Sequence, residues 1–221
     1  MKITVVYEDN HLLVVEKPVN IPTQADSSKD EDLLSELKKY LVEKYQKPND
    51  AYLGLVHRLD RPVGGIMVFA KTSKAAARLS KQISTHQMQK TYLAIVENEL
   101  LKKQATWIDY LDKNSKTNTV SVVSSDKGKK AILDYNLLEY KNSLSLVEIN
   151  LKTGRSHQIR VQFAHHNHPI WGDQRYNKNA KIGQQIALWS YRLSFEHPTT
   201  KELLTFESKL PNQEPWRGFR K

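Results

Sequence analysis

GLVHRLDRPVGGIMVFAKT occupies residues 54–72, and the rest of the chain can be organised around this stretch. It places one carboxylate, Asp60, between Arg58 and Arg61. The proline and two glycines that follow are typical of a turn, and an apolar run at 66–70 stands behind them. The stretch therefore predicts a lone acid held in a turn against an apolar segment.

The charge around Asp60 is positive over a long part of the chain. No Asp or Glu occurs between Arg61 and Val96, whereas six basic residues do: Arg61, Lys71, Lys74, Arg78, Lys81 and Lys90. Nearby positive charge keeps a carboxylate ionised even when it is partly buried. An alternative is that Asp60 only closes the turn and pairs with a neighbouring arginine, because Asp favours turns for its side-chain hydrogen bonds to the backbone.

The composition indicates a polyanionic partner. The chain has 221 residues, a formal net charge of +10 and a pI of about 9.5. Its basic residues are spread over many segments, and no apolar run approaches the length of a membrane span. Nucleic acid is therefore a better candidate partner than a membrane. The alternative is that the charge serves only to keep the protein soluble. The absence of cysteine excludes disulfides, thiolate chemistry and thiolate zinc sites. Because Glu8 precedes any signal-peptide apolar region, a cytoplasmic protein is expected.

Hydrophobic periodicity predicts alternating strands and helices. Helical spacing predicts a helix over 32–45, with Ser27, Ser28 and Asp30 as capping candidates, and a second helix that Ser73 can cap and that runs to about Met88. Lys74 and Arg78 lie on a basic face of the second helix, which could meet phosphates or simply be solvated. Strands are expected at 3–7, 12–16, 90–96, 105–110, 119–124, 131–140, 145–151, 187–195 and 203–206.

TGRSHQIRVQFA, at residues 153–164, is the second informative stretch. Ser156 can cap a short helix, and a spacing of three places His157 and Arg160 on one side of it. His165, His166 and His168 follow and raise the question of a metal site. Three histidines within four residues at a helix end cannot all face one ion, and no carboxylate stands close in sequence, so no metal is expected.

These stretches resemble the RNA pseudouridine synthases, in the branch marked by His-Arg-Leu-Asp, the ribosomal large-subunit and transfer RNA type. The matching residues are His57-Arg58-Leu59-Asp60, Gly65, Ala70-Lys71, Lys90, Tyr92, Ala94, Thr153-Gly154-Arg155, His157-Gln158-Ile159-Arg160, His168-Pro169 and Gly172-Asp173. Two departures stand out. Val63-Gly64 replaces Thr-Ser, which removes two hydroxyls, and Asn20 replaces the glycine of a Lys-Pro-x-Gly loop, where Asn best tolerates positive φ.

The resemblance implies an α+β fold, with a mixed, mainly antiparallel sheet bent around a central cleft and flanked by helices. It also implies an isomerase that breaks the N1 glycosidic bond of a uridine, turns the uracil and rejoins it through C5. A single catalytic domain over 1–221 is expected, without a separate N-terminal RNA-binding domain. The expected protein is a monomer that acts on ribosomal or transfer RNA and needs no cofactor or metal.

The resemblance also assigns roles to residues. Asp60 is the expected catalytic acid residue, with Arg160 paired to it and Tyr92 lying against the uracil, as aromatic rings hold unpaired bases. Arg58 is expected to fill the gap left by the extruded uridine, and Ile159 to pack on the uracil from the side opposite Tyr92. Further RNA contacts are expected from His57, Arg155, Lys74 and Arg78.

Two alternatives and one mechanistic question stay open from the sequence. The first alternative is an inactive RNA-binding protein on the same scaffold, against which Asp60, Tyr92 and Arg160 together argue. The second is a phosphodiesterase or nuclease that uses His57 and Asp60 with a metal, for which the paired carboxylates of a two-metal site are missing. Asp60 could attack the anomeric carbon or remove a sugar proton.

Overall fold

The computed structural model describes residues 3–219, which form eleven strands, three α-helices and one short 3₁₀ helix. In chain order these elements are β1 (Thr4–Glu8), β2 (Leu12–Lys17), α1 (Leu33–Tyr45), β3 (Gly54–Leu55), β4 (Gly64–Ala70), α2 (Ser73–Ser84), β5 (Gln89–Glu97), β6 (Gln104–Asn114), β7 (Thr119–Val123), β8 (Lys129–Lys141), β9 (Leu144–Leu151), α3 (Gln158–His165), β10 (Leu188–Glu196), β11 (Leu203–Glu207) and the 3₁₀ helix (Trp216–Phe219). No helix within 3–219 combines the length and apolar character that a bilayer span requires.

The expected α+β class with a mainly antiparallel sheet is confirmed. The chain divides into two compact units, one formed by the residues up to Met88 with Ser190–Ser208, the other by Gln89–Trp189 with the segment from Lys209. Strand pairs within each unit are antiparallel: β1 with β2, β2 with β4, β3 with β4 and β10 with β11 in the first, and β5 with β9, β9 with β8, β8 with β6 and β6 with β7 in the second. The central cleft and the single domain stay predictions.

The first unit builds its core around β4, the strand that follows Asp60. Every residue of β4 is buried, as expected of a strand covered on both faces. Side chains from β2, β4, α2 and β10, with Met88 from the loop after α2, form one apolar cluster: Leu12, Val14, Ile66, Val68, Ala70, Ala75, Leu79, Met88, Leu193 and Phe195. The turn that carries Asp60 therefore ends on the most buried strand of this unit.

The second unit is a five-strand antiparallel sheet with α3 packed on one face. Phe163 of α3 contacts Trp107 and Tyr135, which stand on the same face of β6 and β8. Residues that pair directly across an antiparallel ladder point to the same face, and Tyr135 pairs with Ile149, which in turn pairs with Tyr92. Tyr92 therefore lies on the face of the sheet that α3 covers.

The helix boundaries agree with the sequence better than the caps do. The N-cap of α1 is Asp32, whose carboxylate accepts the Ser35 backbone N–H, so the predicted caps Ser27, Ser28 and Asp30 are wrong. Thr72, not Ser73, caps α2, which ends at Ser84 rather than at Met88. The N-cap side chain accepts a hydrogen bond from the backbone N–H two or three residues later in the chain. A hydroxyl one residue away along the sequence does not reach that N–H.

Glu8 joins β1 to α1 and to the end of β4. Its buried carboxylate accepts hydrogen bonds from the hydroxyls of Tyr40 and Tyr45 and from the ammonium groups of Lys44 and Lys71. Burial by itself raises the pKa of Glu8, but these hydrogen bonds, led by those from Lys44 and Lys71, outweigh it and lower the pKa to about 2. Glu8 is therefore ionised in the folded protein at neutral pH.

Glu8→Gln should lower the free energy of unfolding at pH 7 by about 2 kcal/mol, because it removes the charge that two lysines and two tyrosines share. The pKa of Glu8 lies below its ordinary value of 4.5 in the folded state, so its contribution is full above pH 4.5 and is lost as the pH falls towards about 2. Urea unfolding measures the difference in free energy of unfolding between the wild type and Glu8→Gln. This difference should be smaller at pH 3 than at pH 7 by at least half.

Glu196→Gln is the matched control, since Glu196 is half exposed and pairs only across the surface with Lys201. It should change stability by less than about 1 kcal/mol, with little dependence on pH. An equal loss in both variants, or a Glu8→Gln effect that stays constant from pH 7 to pH 3, would contradict the ionised network.

Candidate active site

The backbone around Asp60 is fixed on both sides. Leu59 is buried, and its carbonyl accepts the hydroxyl proton of Thr23 at 2.9 Å while its N–H donates to the same hydroxyl at 3.3 Å. The carbonyl of Asp60 accepts the N–H of Val63 at 2.9 Å, which closes the turn. The half-buried carboxylate thus projects from a turn whose backbone has little freedom.

Gly65 anchors the far end of this turn. Its φ is +115°, and a Cβ at this position would lie 2.2 Å from the carbonyl oxygen of Ser190. Both facts require glycine. Val63, which stands at one of the two hydroxyl positions of the resemblance, is buried, so apolar packing takes the place of that hydroxyl. The turn is therefore preserved despite the departure from the signature.

Lys17 supports the turn from behind, and sequence reasoning assigned it no role. Its side chain is fully buried, and Nζ donates to the carbonyl oxygens of Pro18, Ile21 and Arg61 at 2.9, 2.6 and 3.0 Å. Burial lowers the pKa of Lys17 to about 7, against the attraction of Asp60. Lys17 therefore joins the Lys-Pro loop to the residue that follows Asp60.

The loop after Lys17 adopts the expected backbone. Asn20 has a φ of 63°, as predicted for the residue that replaces glycine. Its carbonyl accepts the Nε–H of Arg61, whose other guanidinium nitrogens donate to Ser28 and Asp30. The guanidinium of Arg61 is therefore engaged by the 20–30 loop.

His57 and Arg58 differ in their surroundings. The Nε2 atom of His57 accepts the backbone N–H of Val68 at 3.1 Å, so this half-buried imidazole supports β4. Arg58 is exposed to solvent, as a residue expected to enter an RNA stack must be. Their predicted contacts with RNA stay predictions.

The basic residues on α2 also differ. Lys74 is exposed on the first turn of the helix. Arg78 is half-buried and donates from one NH to the carbonyl of Pro198 at 2.7 Å, so part of its guanidinium stabilises the fold. Lys74 is accordingly the stronger candidate for a phosphate contact from this helix.

In the second unit, the Thr-Gly-Arg loop leads into α3 through a left-handed residue. His157 has a φ of 49° and makes no side-chain cap, so the predicted cap at Ser156 is wrong. Gln158 orders the loop instead: its Oε1 atom accepts from the Thr153 hydroxyl at 2.7 Å and from the Arg155 N–H at 3.0 Å. The loop is therefore closed onto the first turn of the helix.

Arg155 lies at the surface beside β8. Its side chain is exposed, and Nε donates to the carbonyl of Lys130 at 3.0 Å. The strand β8 begins with Lys129 and Lys130, and Lys127 precedes it. Arg155 therefore extends a basic surface. This setting agrees with a contact to an RNA phosphate, which stays a prediction.

Arg160 and Ile159 are buried on α3. The Nε and NH2 groups of Arg160 donate to the two oxygens of Asp173 at 2.9 and 2.7 Å, a bidentate pair in which the carboxylate is fully buried. The guanidinium carbon lies 5.2 Å from the centre of the Tyr176 ring. The predicted pairing of Arg160 with Asp60 stays a prediction, and Asp173 is a partner that the sequence analysis did not identify.

The predicted site residues fall into two groups. Asp60, His57, Arg58, Lys74 and Arg78 lie in the first unit, and Tyr92, Arg155, Ile159 and Arg160 in the second. Within the second group, Tyr92 lies on the sheet face that α3 covers, and α3 carries Ile159 and Arg160. Among residues 3–219, no three His, Asp or Glu side chains come together in a geometry that could hold a metal ion.

Residues 11–165 match the family model described as RNA pseudouridylate synthase, a segment that contains Asp60, Tyr92 and Arg160. The chain belongs to this family.

Named relatives of this family extend the match. An uncharacterized RNA pseudouridine synthase of Bacillus subtilis, YhcT, is 34% identical over 95% of this chain and 69% of its own length. A ribosomal large subunit pseudouridine synthase D of Zymomonas mobilis is 30% identical over 94% of the chain and 69% of its own length. The solved human RNA pseudouridylate synthase domain containing 4 shares the fold, with a TM-score of 0.80 at 22% identity over 95% of this chain and 89% of that one.

Membership of the RNA pseudouridylate synthase family confirms the expected activity class. The protein is an isomerase that converts uridine to pseudouridine in RNA. The sequence signal for Asp60 was strong because the signature is contiguous. The sequence showed Lys17 only as part of a Lys-Pro pair without a role, and Asp173 only as part of a Gly-Asp match. The groups that these two side chains bind cannot be inferred from spacing along the chain.

Proposed function

We propose that this protein converts a specific uridine of a structured RNA, ribosomal RNA in the first place, to pseudouridine, with Asp60 acting on the ribose. The observation that carries the assignment of Asp60 is its turn, which Thr23, Lys17 and Gly65 hold while the carboxylate itself stays half-buried. A fixed carboxylate in a partly desolvated place suits chemistry at a sugar carbon. The ribosomal choice is supported by the relatives named for the large ribosomal subunit.

The reaction needs three events and no added reactant. The N1–C1′ bond of the uridine breaks, the uracil turns, and a C5–C1′ bond forms, after which C5 loses its proton and N1 gains one. Asp60 can take part by adding to C1′ or by removing a ribose proton. Arg160 is proposed to stabilise the charge on Asp60, and Tyr92 and Ile159 to hold the uracil between them.

RNA is proposed to bind through dispersed basic residues. Arg58 is proposed to occupy the gap that the extruded uridine leaves, with His57, Lys74, Arg78 and Arg155 contacting the surrounding RNA. The net charge of +10 supports a polyanionic partner. We further propose that the enzyme works as a monomer in the cytoplasm.

Pseudouridine mapping of total RNA tests this function directly. RNA from cells with and without the gene is treated with a carbodiimide that marks pseudouridine and is then read by primer extension. One or a few sites, in ribosomal RNA, should disappear without the gene and return with the wild-type protein. A map that is unchanged, or strand cleavage by the purified protein, would overturn the proposal.

Tyr92 allows stacking and proton transfer to be separated. Tyr92→Ala should lower kcat/KM by about 5- to 150-fold, since losing a base–aromatic stack costs roughly 1–3 kcal/mol. Tyr92→Phe keeps the ring and removes only the hydroxyl. Single-turnover conversion of the mapped RNA measures both variants. Full activity in Tyr92→Phe excludes a proton-transfer role, whereas tight RNA binding without product supports one.

The control for this pair is Tyr140→Ala, which removes a tyrosine ring from the exposed part of β8 in the same unit. It should leave turnover within about twofold of the wild type, as expected for a surface position. Wild-type turnover by Tyr92→Ala would show that the ring does not hold the uracil.

A further inference from the structure

Tyr176 lies in the loop after α3 and contacts three elements of the second unit. Its hydroxyl oxygen accepts the backbone N–H of Val120, in β7, at 3.0 Å. The same oxygen is 2.6 Å from Nδ1 of His157, at the start of α3. Its ring faces the guanidinium of Arg160 at 5.2 Å. One side chain thus links β7, the loop that precedes α3, and the proposed catalytic arginine.

The phenol of Tyr176 is the donor in its contact with His157 when the imidazole carries its proton on Nε2. A phenol has one proton to donate, and the oxygen of Tyr176 already accepts a hydrogen bond from the Val120 N–H. Burial raises the pKa of Tyr176, so the phenol keeps its proton at neutral pH. At 2.6 Å that proton is best placed between the oxygen and Nδ1 of His157. His157 then carries its own proton on Nε2.

Two residues of the loop after α3 hold the Arg160 side chain, one at the edge of the guanidinium and one at its face. Asp173 binds one edge of its guanidinium through two hydrogen bonds, and the ring of Tyr176 lies against its face. Asp173 is itself fixed, because its Oδ1 atom accepts the Arg175 N–H and its carbonyl accepts the Asn177 N–H. A bidentate carboxylate and an aromatic face together leave the guanidinium a single orientation.

We propose that Tyr176 is a positioning residue for pseudouridine formation, which orients Arg160 through its ring and selects the tautomer of His157 through its hydroxyl. This inference rests on the proposed function of Arg160. It adds Tyr176 and His157 to a reaction in which neither was given a role.

Tyr176→Phe tests the hydroxyl, because phenylalanine retains the ring beside Arg160 and its packing against Val120 and Val161. We expect kcat to fall about tenfold while KM for the RNA stays within twofold, since misplaced groups slow the chemical step more than binding. Nitrogen-15 NMR of the imidazole should show a hydrogen-bonded, unprotonated Nδ1 for His157 in the wild type. In Tyr176→Phe the two ring nitrogens should shift towards the values of a mixture of tautomers.

Tyr135→Phe is the matched control in the same unit, since its hydroxyl donates to the carbonyl of Lys102 and its loss also removes one phenol hydrogen bond. It should lower the melting temperature by no more than Tyr176→Phe, which removes two contacts of a hydroxyl, and leave both kcat and the His157 signals unchanged. A wild-type kcat in Tyr176→Phe, or His157 signals that do not change, would overturn the proposal. Failure of the proposed function would look different, because the wild-type protein would then form no pseudouridine while its His157 tautomer remained measurable.

Discussion

Asp60→Asn is expected to lower the rate of pseudouridine formation by about 1,000-fold or more, as removal of a residue that reacts with the substrate does in other enzymes. Asparagine has nearly the same shape, so the turn closed by Val63 and held by Thr23 should survive. RNA affinity should stay within a few-fold of the wild type, because binding depends on dispersed basic residues. Single-turnover conversion and filter binding on the same RNA measure the two effects separately.

Asp30→Asn is the control for this change. Asp30 is half exposed and pairs with Arg61, the residue next to Asp60, so its replacement removes a carboxylate from the same region without touching the turn itself. Its turnover should match the wild type within about twofold. Near-normal turnover by Asp60→Asn would refute the assignment of Asp60, and an equal loss in both variants would mean that charge alone, not position, matters.

Arg160→Ala should lose both activity and stability. It leaves the carboxylate of Asp173 buried without its bidentate partner, a change that costs about 3–5 kcal/mol of folding free energy. Activity should fall by more than tenfold even at a temperature where the variant remains folded, because the group proposed to stabilise Asp60 is gone. Urea unfolding and single-turnover assays at the same temperature measure the two losses.

Arg160→Lys separates charge from geometry. Lysine restores the positive charge beside Asp173 but not the planar fork, so stability and rate should recover in part. Arg192→Ala is the matched control, since Arg192 pairs with Glu207 at the surface and should contribute less than about 1 kcal/mol. An Arg160→Ala enzyme with wild-type turnover would show that Arg160 has only a structural role, in its pair with Asp173.

The sequence predicted nine of the eleven strands described and the three α-helices, because each of these repeats its signal along its own length. It missed the short β3 and gave β4 only as an apolar segment. The alternation around Tyr92 and the helical spacing of Leu33, Leu37 and Leu41 gave β5 and α1 nearly their observed bounds. Caps were less predictable. Asp32, Thr72 and His157 take positions expected for other residues, because a cap depends on where the chain enters the helix and not on a repeated pattern.

The site was predictable where its chemistry is local in sequence. Asp60 could be proposed as a site residue because its turn, its glycines and its apolar strand are contiguous. The supports of the site were not visible, since Lys17 reaches a carbonyl 44 residues away and Tyr176 reaches His157 across 19 residues. Such contacts depend on how loops pack, and spacing in sequence does not determine that packing.

The way Lys17 holds the turn has a consequence for redesign of substrate choice. Its ammonium donates to three main-chain oxygens, those of Pro18, Ile21 and Arg61. The side chains at positions 21 and 61 can therefore be varied in a mutant library without removing any of the three hydrogen bonds, provided the backbone keeps its path. Lysine itself is the fixed element, because its compact ammonium directs three donors to three carbonyl oxygens, whereas arginine carries its donors on a larger planar fork. A library at position 61 therefore varies the contacts with Ser28 and Asp30, whereas every member keeps the carbonyl that Lys17 holds next to Asp60.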